Sequence, residues 1–344
     1  MSVSWINAHN GFDGIWPALL TPLDAQLNID HDKMARHALA LLAQGCGGVT
    51  AFGTTGEGPS FSMQERRETI DQLIARGVPA ERIIVSTSCA ALPETLALTR
   101  HAIDKGVHGC LMLPPFFFKG VSDEGVIACY AQVMDALPAS GWRMYLYHIP
   151  QVVGVGLSHH VISTLLQRYP QVIVGIKDSA GDRAHSVDLA QAYMPGITAY
   201  VGNEPDLPTM GQLGSTGAIS GLANFLPRTV RRMVKEHSGA NIAQDIQTIA
   251  KVLDTVRPYS LMPALKCIMA SVSGDDSWLR VRAPLVALTP QAHAQLQSAW
   301  KALNIDPITA WCFDPLSHQG DPHEETDPIS PSPADRWRRP VGPG

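Results

Sequence analysis

The sequence predicts an α/β protein, a closed (β/α)8 TIM barrel with a C-terminal helical extension. Three observations point there. Eight short apolar runs are each followed by a stretch with helical spacing, the alternation that builds parallel sheets. The 344 residues, 45% of them hydrophobic, suffice for one large barrel with a sizeable core. No Gly-x-Gly-x-x-Gly turn follows the first run, which weighs against the runner-up, a doubly wound open sheet.

The elements follow in order. Residues 14–21 form the first strand, and Asp30-His-Asp-Lys33 opens a helix with Met34, His37, Ala38, Leu41 and Leu42 at roughly helical spacing. The second strand, 47–52, runs into Gly53-Thr-Thr-Gly-Glu-Gly58. Ser62-Met-Gln-Glu65 is a capping box that starts a helix to about Arg76. Strands over 82–87, 109–115 and 143–150 alternate with helices over 93–105, 122–137 and 158–168, the first of these with Pro93 in its opening turn. Val172-Ile-Val-Gly-Ile-Lys-Asp-Ser179 is the sixth strand, with a helix over 182–193. Strand seven spans 198–202 with a short helix from near Pro205, and strand eight spans 217–223. Beyond Phe225 only helices are expected, over 227–236, 241–256, 261–272 and 290–303. The domains are thus a catalytic barrel over 11–236, a helical domain over 237–312 and a Pro-rich tail over 313–344, too poor in apolar residues to fold.

A net charge of −5 gives no electrostatic footprint for nucleic acid or an anionic membrane. No apolar stretch approaches the length of a membrane span, and residues 1–10 lack the pattern of a signal peptide. The six cysteines are scattered without metal-type spacing, as expected of reduced thiols in a cytoplasmic protein.

Lys177 is the residue on which a functional reading turns. An ammonium at the end of a buried strand is costly, and two arrangements relieve the cost. Either the lysine pairs with a carboxylate such as Asp178, or it sheds its proton and becomes a nucleophile for a carbonyl carbon. The glycine-rich turn at 53–57, Tyr147-His-Ile-Pro150 and Gly175-Ile-Lys-Asp178 all fall at strand C-terminal ends, the rim where barrel active sites lie. That convergence favours the nucleophile. Gly53 and Gly56 let backbone N–H groups converge, Thr54 and Thr55 add hydroxyls, and the turn suits a carboxylate or phosphate. Tyr147 offers a phenol for proton transfer, while His148 points to the opposite face.

Through Gly53-Thr-Thr-Gly-Glu-Gly58, Tyr147-x-x-Pro150 and Gly175-Ile-Lys-Asp-Ser-Ala-Gly-Asp182, in this order and spacing, the chain resembles the dihydrodipicolinate synthase/N-acetylneuraminate lyase family of Schiff-base-forming pyruvate aldolases, over about residues 11–305. The resemblance implies a barrel with a C-terminal helical domain, assembled as a homotetramer. It implies that Lys177 forms an imine with pyruvate or a pyruvoyl compound and that Tyr147 shuttles the proton. It further implies that Gly53, Thr54 and Thr55 hold the substrate carboxylate, Thr55 also touching the tyrosine, and that Gly202 and Ile219 line the pocket. No cofactor and no metal are expected.

The chain also departs from the family pattern. In place of a Pro-Tyr-Tyr stretch stands Pro115-Phe-Phe-Phe-Lys119, so Phe117 lacks the hydroxyl of the synthases. Val152 stands where those enzymes place an arginine for a second carboxylate. Of the acidic pair that holds a sugar tail in neuraminate lyases, Glu204 fits one position and Pro205 cannot fill the other. Phe116, Phe117, Val152 and Val153 either suit a smaller, less hydroxylated or partly aromatic 2-oxo acid or serve as barrel packing. The reading that results is an enzyme, a carbon–carbon lyase cleaving or forming a 4-hydroxy-2-oxo acid from pyruvate and an aldehyde. The alternatives are a 2-oxo-3-deoxy sugar acid dehydratase using the same lysine, a dihydrodipicolinate synthase, and a non-catalytic pyruvoyl-binding member.

Overall fold

In the computed structural model, which describes residues 14–194, 196–305 and 307, strand and helix alternate as the spacing predicts. The strands are β1 (Gly14–Ile15), β2 (Val49–Ala51), β3 (Ile83–Ser86), β4 (Gly109–Met112), β5 (Met144–His148), β6 (Ile173–Asp178), β7 (Thr198–Val201) and β8 (Gly217–Ala218). All pair in parallel, in the order β1-β8-β7-β6-β5-β4-β3-β2. The remaining edge closes past the end of β1, where the Thr50 amide donates to Pro17 O at 2.8 Å and the Leu19 amide to Thr50 O at 2.9 Å. Closure leaves no free sheet edge. The first and eighth strands are shorter than the 14–21 and 217–223 that the spacing predicts. Residues 222–224 form a 3-10 turn instead.

The helices are α1 (His31–Ala43), α2 (Met63–Ala75), α3 (Leu92–Asp104), α4 (Asp123–Met134), α5 (Pro150–Val153), α6 (His159–Arg168), α7 (Arg183–Tyr193), α8 (Leu207–Gln212), α9 (Pro227–Lys235), α10 (Ile242–Val256), α11 (Leu261–Ser273) and α12 (Pro290–Ala302). Local chemistry sets their starts. The Asp30 carboxylate accepts the Lys33 amide at 2.9 Å, and Ser62 and Glu65 form the expected reciprocal capping box at α2. The four-residue α5 has no counterpart in the sequence reading, since one turn is too short to show a period. The described residues fall in one compact unit. The Pro-rich tail at 313–344 and the leader up to residue 13 lie outside the described residues. None of the described helices is long and apolar enough to cross a membrane.

Period-two alternation sorts the strand residues into two cores. Trp16, Ile84, Leu111, Tyr145, Tyr147, Tyr200 and Ile219 fill the barrel, while Val85, Met112, Leu146, Ile176, Val201 and Ala218 pack in the layer under the helices. Large inward rings need small neighbours: a Cβ on Gly48 would lie 2.0 Å from the Trp16 ring, and one on Gly217 would lie 2.6 Å from Tyr200.

Buried histidines should make this fold acid-sensitive. Burial holds His37, His108 and His148 at about 4; Arg143 and Arg82 add to the effect at His108, and the Asn224 hydrogen bond opposes it at His37. At His148 the Asp178 charge opposes burial and His185 reinforces it. Below the ordinary value near 6.5 the unfolded chain takes up protons that the native state refuses. Stability should therefore fall as pH drops from about 6.5 toward 4, by roughly 3 kcal/mol for each such group at most. Urea unfolding at pH 7 and pH 4.5 checks this; equal stability at both would contradict it.

Candidate active site

The register that pairs β5 with β6 sets Tyr147 directly opposite Lys177. Both point into the barrel, with 1% and 4% of their surface exposed. Lys177 Nζ donates to the Tyr147 hydroxyl at 3.1 Å and lies 4.3 Å from the centre of its ring. Asp178, the alternative partner, faces the helix layer, where its carboxylate accepts the Ala180 amide at 3.0 Å and the Ser186 hydroxyl at 2.5 Å. Strand alternation thus separates the neighbouring carboxylate from the amine.

The turn after β2 supplies the third member. Thr54 Oγ1 lies 3.2 Å from the Tyr147 hydroxyl. Of the two threonines, Thr54 is therefore the one on the tyrosine, which corrects the assignment of that contact to Thr55. Thr55 Oγ1 instead faces Gly221, where an added Cβ would sit 3.0 Å away. The turn is fixed by its own backbone: Gly58 N donates to Gly53 O at 3.2 Å, and Glu57 N to Thr54 O at 3.1 Å. Phe52 and Glu57 take left-handed conformations, at φ 60° and 56°, which turn the chain sharply at the strand end.

Electrostatics favour proton transfer at Tyr147. Burial raises its phenol, but the Lys177 charge and the hydroxyls of Thr54 and Ser179 outweigh this and bring it below its ordinary value. Ser179 was not singled out in the sequence, although period two puts it on the lysine's face of the strand. Its Oγ is buried beside the Tyr147 phenol. Gly202 is small of necessity, because a Cβ there would meet Ser179 Oγ at 1.8 Å and Lys177 Cε at 3.0 Å.

The other expected positions divide. Ile219 is buried in the barrel cluster, its amide donating to Val201 O at 3.1 Å. Glu204 is buried and committed locally: its Oε1 accepts the Ser220 hydroxyl at 2.6 Å and the Leu222 amide at 3.3 Å. A cleft of about 320 Å³ opens beside Thr54, walled by Phe52, Leu113, Phe116, Val152, Val153, Met262 and Leu285. Phe117 is 72% exposed and borders a neighbouring cavity with Cys89 and Cys129, so it is Phe116 that lines the cleft.

Behind the pair, on the outer face, His148, Asp178 and His185 bring ligand-type atoms within 4.8 Å of one another. His148 Nδ1 accepts the Leu157 amide at 3.0 Å, which leaves the proton of a neutral ring on Nε2. A metal-bound histidine has the opposite polarity, donating through its second nitrogen.

A closed parallel barrel with a lysine and a tyrosine paired at its mouth is the architecture of carbon–carbon lyases of the aldolase type, and this chain is such an enzyme. It belongs to the dihydrodipicolinate synthetase family, whose profile matches residues 11–303. A curated relative, an uncharacterised DapA-like lyase of Chloroflexus aurantiacus, is 36% identical over 293 residues, covering 84% of this chain and 96% of the relative. Among solved structures, a dihydrodipicolinate synthase from Agrobacterium tumefaciens superposes with a TM-score of 0.79 at 33% identity, over 84% of this chain and 99% of that one. A prophage protein of the dihydrodipicolinic acid synthase family from E. coli K12, in complex with pyruvate, gives 0.76 at 25% identity, over 86% of this chain and 99% of that one.

Proposed function

We propose that the enzyme cleaves, or in reverse forms, a 4-hydroxy-2-oxo acid with an apolar tail, giving pyruvate and an aldehyde through an imine on Lys177. The observation that carries this reading is the chain of contacts from Lys177 Nζ to the Tyr147 hydroxyl at 3.1 Å and on to Thr54 Oγ1 at 3.2 Å. The Lys177 amine attacks the C2 carbonyl, and loss of water leaves the protonated imine. Tyr147 takes the proton of the C4 hydroxyl, the C3–C4 bond breaks, and its electron pair moves into the imine as an enamine while the aldehyde departs. Protonation at C3 and hydrolysis release pyruvate and restore the amine. The imine is the electron sink, so the reaction as proposed uses no cofactor.

Gly53, Thr54 and Thr55 are assigned to the substrate carboxylate, with Gly202 and Ile219 bordering the pyruvoyl group. The pyruvate held by the E. coli relative supports a 2-oxo acid as the common half. For the other half, the described residues that line the cleft include no lysine, arginine or histidine, Glu57 is the ionisable side chain among them, and the ammonium of Lys119 beside them is spent on Phe116 O and Val153 O. A second carboxylate would find no partner on those walls, so a neutral, apolar or aromatic aldehyde fits best. We assign the working form to a cytoplasmic homotetramer, for which the exposed Phe117 and Phe118, 72% and 68% accessible, offer apolar contact surface.

Borohydride reduction in the presence of pyruvate, followed by peptide mass spectrometry, tests the imine, and label on Lys177 is the expected result. A panel of aldehydes then tests the tail. Aromatic and branched aldehydes should condense with pyruvate about 10-fold faster or more than carboxylated ones. The reverse preference would overturn the assignment of an apolar tail.

A further inference from the structure

A fully buried ion pair joins the C-terminal helices to the catalytic turn. Lys266, on α11, has no exposed surface, and its Nζ lies 2.5 Å from Glu57 Oε1 in the turn that carries Thr54. The same ammonium donates to Arg280 O at 2.7 Å, just ahead of Pro284 and Leu285 in the cleft wall. Arg280 in turn donates to Leu23 O at 3.0 Å. Glu57 itself lines the cleft, and its amide closes the turn onto Thr54 O at 3.1 Å. One lysine thus spans the two walls of the site.

Stability is a poor reason for such a pair. Two charges taken from water repay the cost only when their remaining polar atoms are satisfied, and an apolar pair of similar volume serves as well or better. Glu57 Oε2 has no hydrogen-bond donor among the described residues. Burial pushes the Glu57 carboxyl up and the Lys266 ammonium down, each only partly offset by the other's charge. What the pair does supply is a fixed direction where the turn meets α11.

We propose that Lys266 is a positioning residue for catalysis: through Glu57 it holds the 53–58 turn so that the Thr54 hydroxyl stays on Tyr147. The proposal rests on the Schiff-base reading above. Its test needs pyruvate alone, as the exchange of pyruvate C3 protons for deuterium in D2O, followed by NMR beside borohydride trapping and thermal melts. Lys266→Met should melt roughly 5–10 °C lower and exchange about 100-fold more slowly. Combining Glu57→Met with Lys266→Met removes both charges and should return the melting temperature to near that of the wild type. Exchange should stay about 100-fold down, with trapping at Lys177 retained. Glu57→Gln, a milder change of similar shape, should slow exchange about 10-fold with little change in the KM for pyruvate.

Exchange that recovers together with the melting temperature in the double variant, or that is unaltered in Glu57→Gln, would show the pair to be structural and overturn the proposal. Failure of the wild-type enzyme to trap pyruvate at Lys177 is a separate result, which removes the Schiff-base reading and the positioning role with it.

Discussion

Replacing Lys177 with alanine is expected to abolish borohydride labelling with pyruvate and to slow C3 proton exchange by roughly 10⁴-fold or more. The effect is large because in the proposed mechanism the amine is the nucleophile, and among the described residues the other buried lysine of the site region, Lys266, is committed to Glu57 and Arg280 O. Folding should survive, since Lys177 makes its hydrogen bond to a phenol rather than to a buried carboxylate, and its removal strands no charge. A folded variant that still exchanges pyruvate protons near the wild-type rate would return Lys177 to a packing role.

Tyr147→Phe should leave the imine in place and remove the proton carrier. Trapping at Lys177 is expected to persist while exchange falls by about 10²–10⁴-fold, the usual contribution of general acid–base catalysis. The pH profile supplies an independent readout. Because the phenol lies below its ordinary value of 10, more of it is ionised at a given pH than in an isolated tyrosine. A base acts in its deprotonated form, so the wild-type rate should climb with pH and level off through an apparent pKa under 10, and the phenylalanine variant should lack that limb. Equal rates and profiles in the two proteins would exclude Tyr147 from proton transfer.

The arrangement around these residues also bears on the family's diversity of substrates. Lys177 and Tyr147 sit on adjacent strands inside the barrel, whereas the cleft walls come from the loop after β4, from α5 and from the segment near Leu285. Barrel strands and rim loops vary independently, so one chemistry can serve many tails. Val152 and Phe116 stand at the rim here, and no cation is among the described residues that line the cleft.

The barrel, its longer helices and the three stretches that meet at its mouth were legible in the residues alone. Those features are written in short-range spacing: period two in the strands, helical period between them, and capping residues at the joints. The same period set Tyr147 and His148 on opposite faces of their strand, and it contained Ser179 as well, two residues on from the lysine. That Thr54, rather than Thr55, meets the tyrosine could be read only from the folded turn, whose backbone is left-handed at Phe52 and Glu57, neither of them glycine. The fold likewise sets Phe116 on the cleft while Phe117 faces outward, and turns Glu204 to Ser220. The contact of Lys266 with Glu57 joins residues from opposite ends of the chain, and no local pattern encodes it. Spacing fixes which face of an element a side chain occupies; which distant group it meets there is fixed by how turns bend and how helices pack.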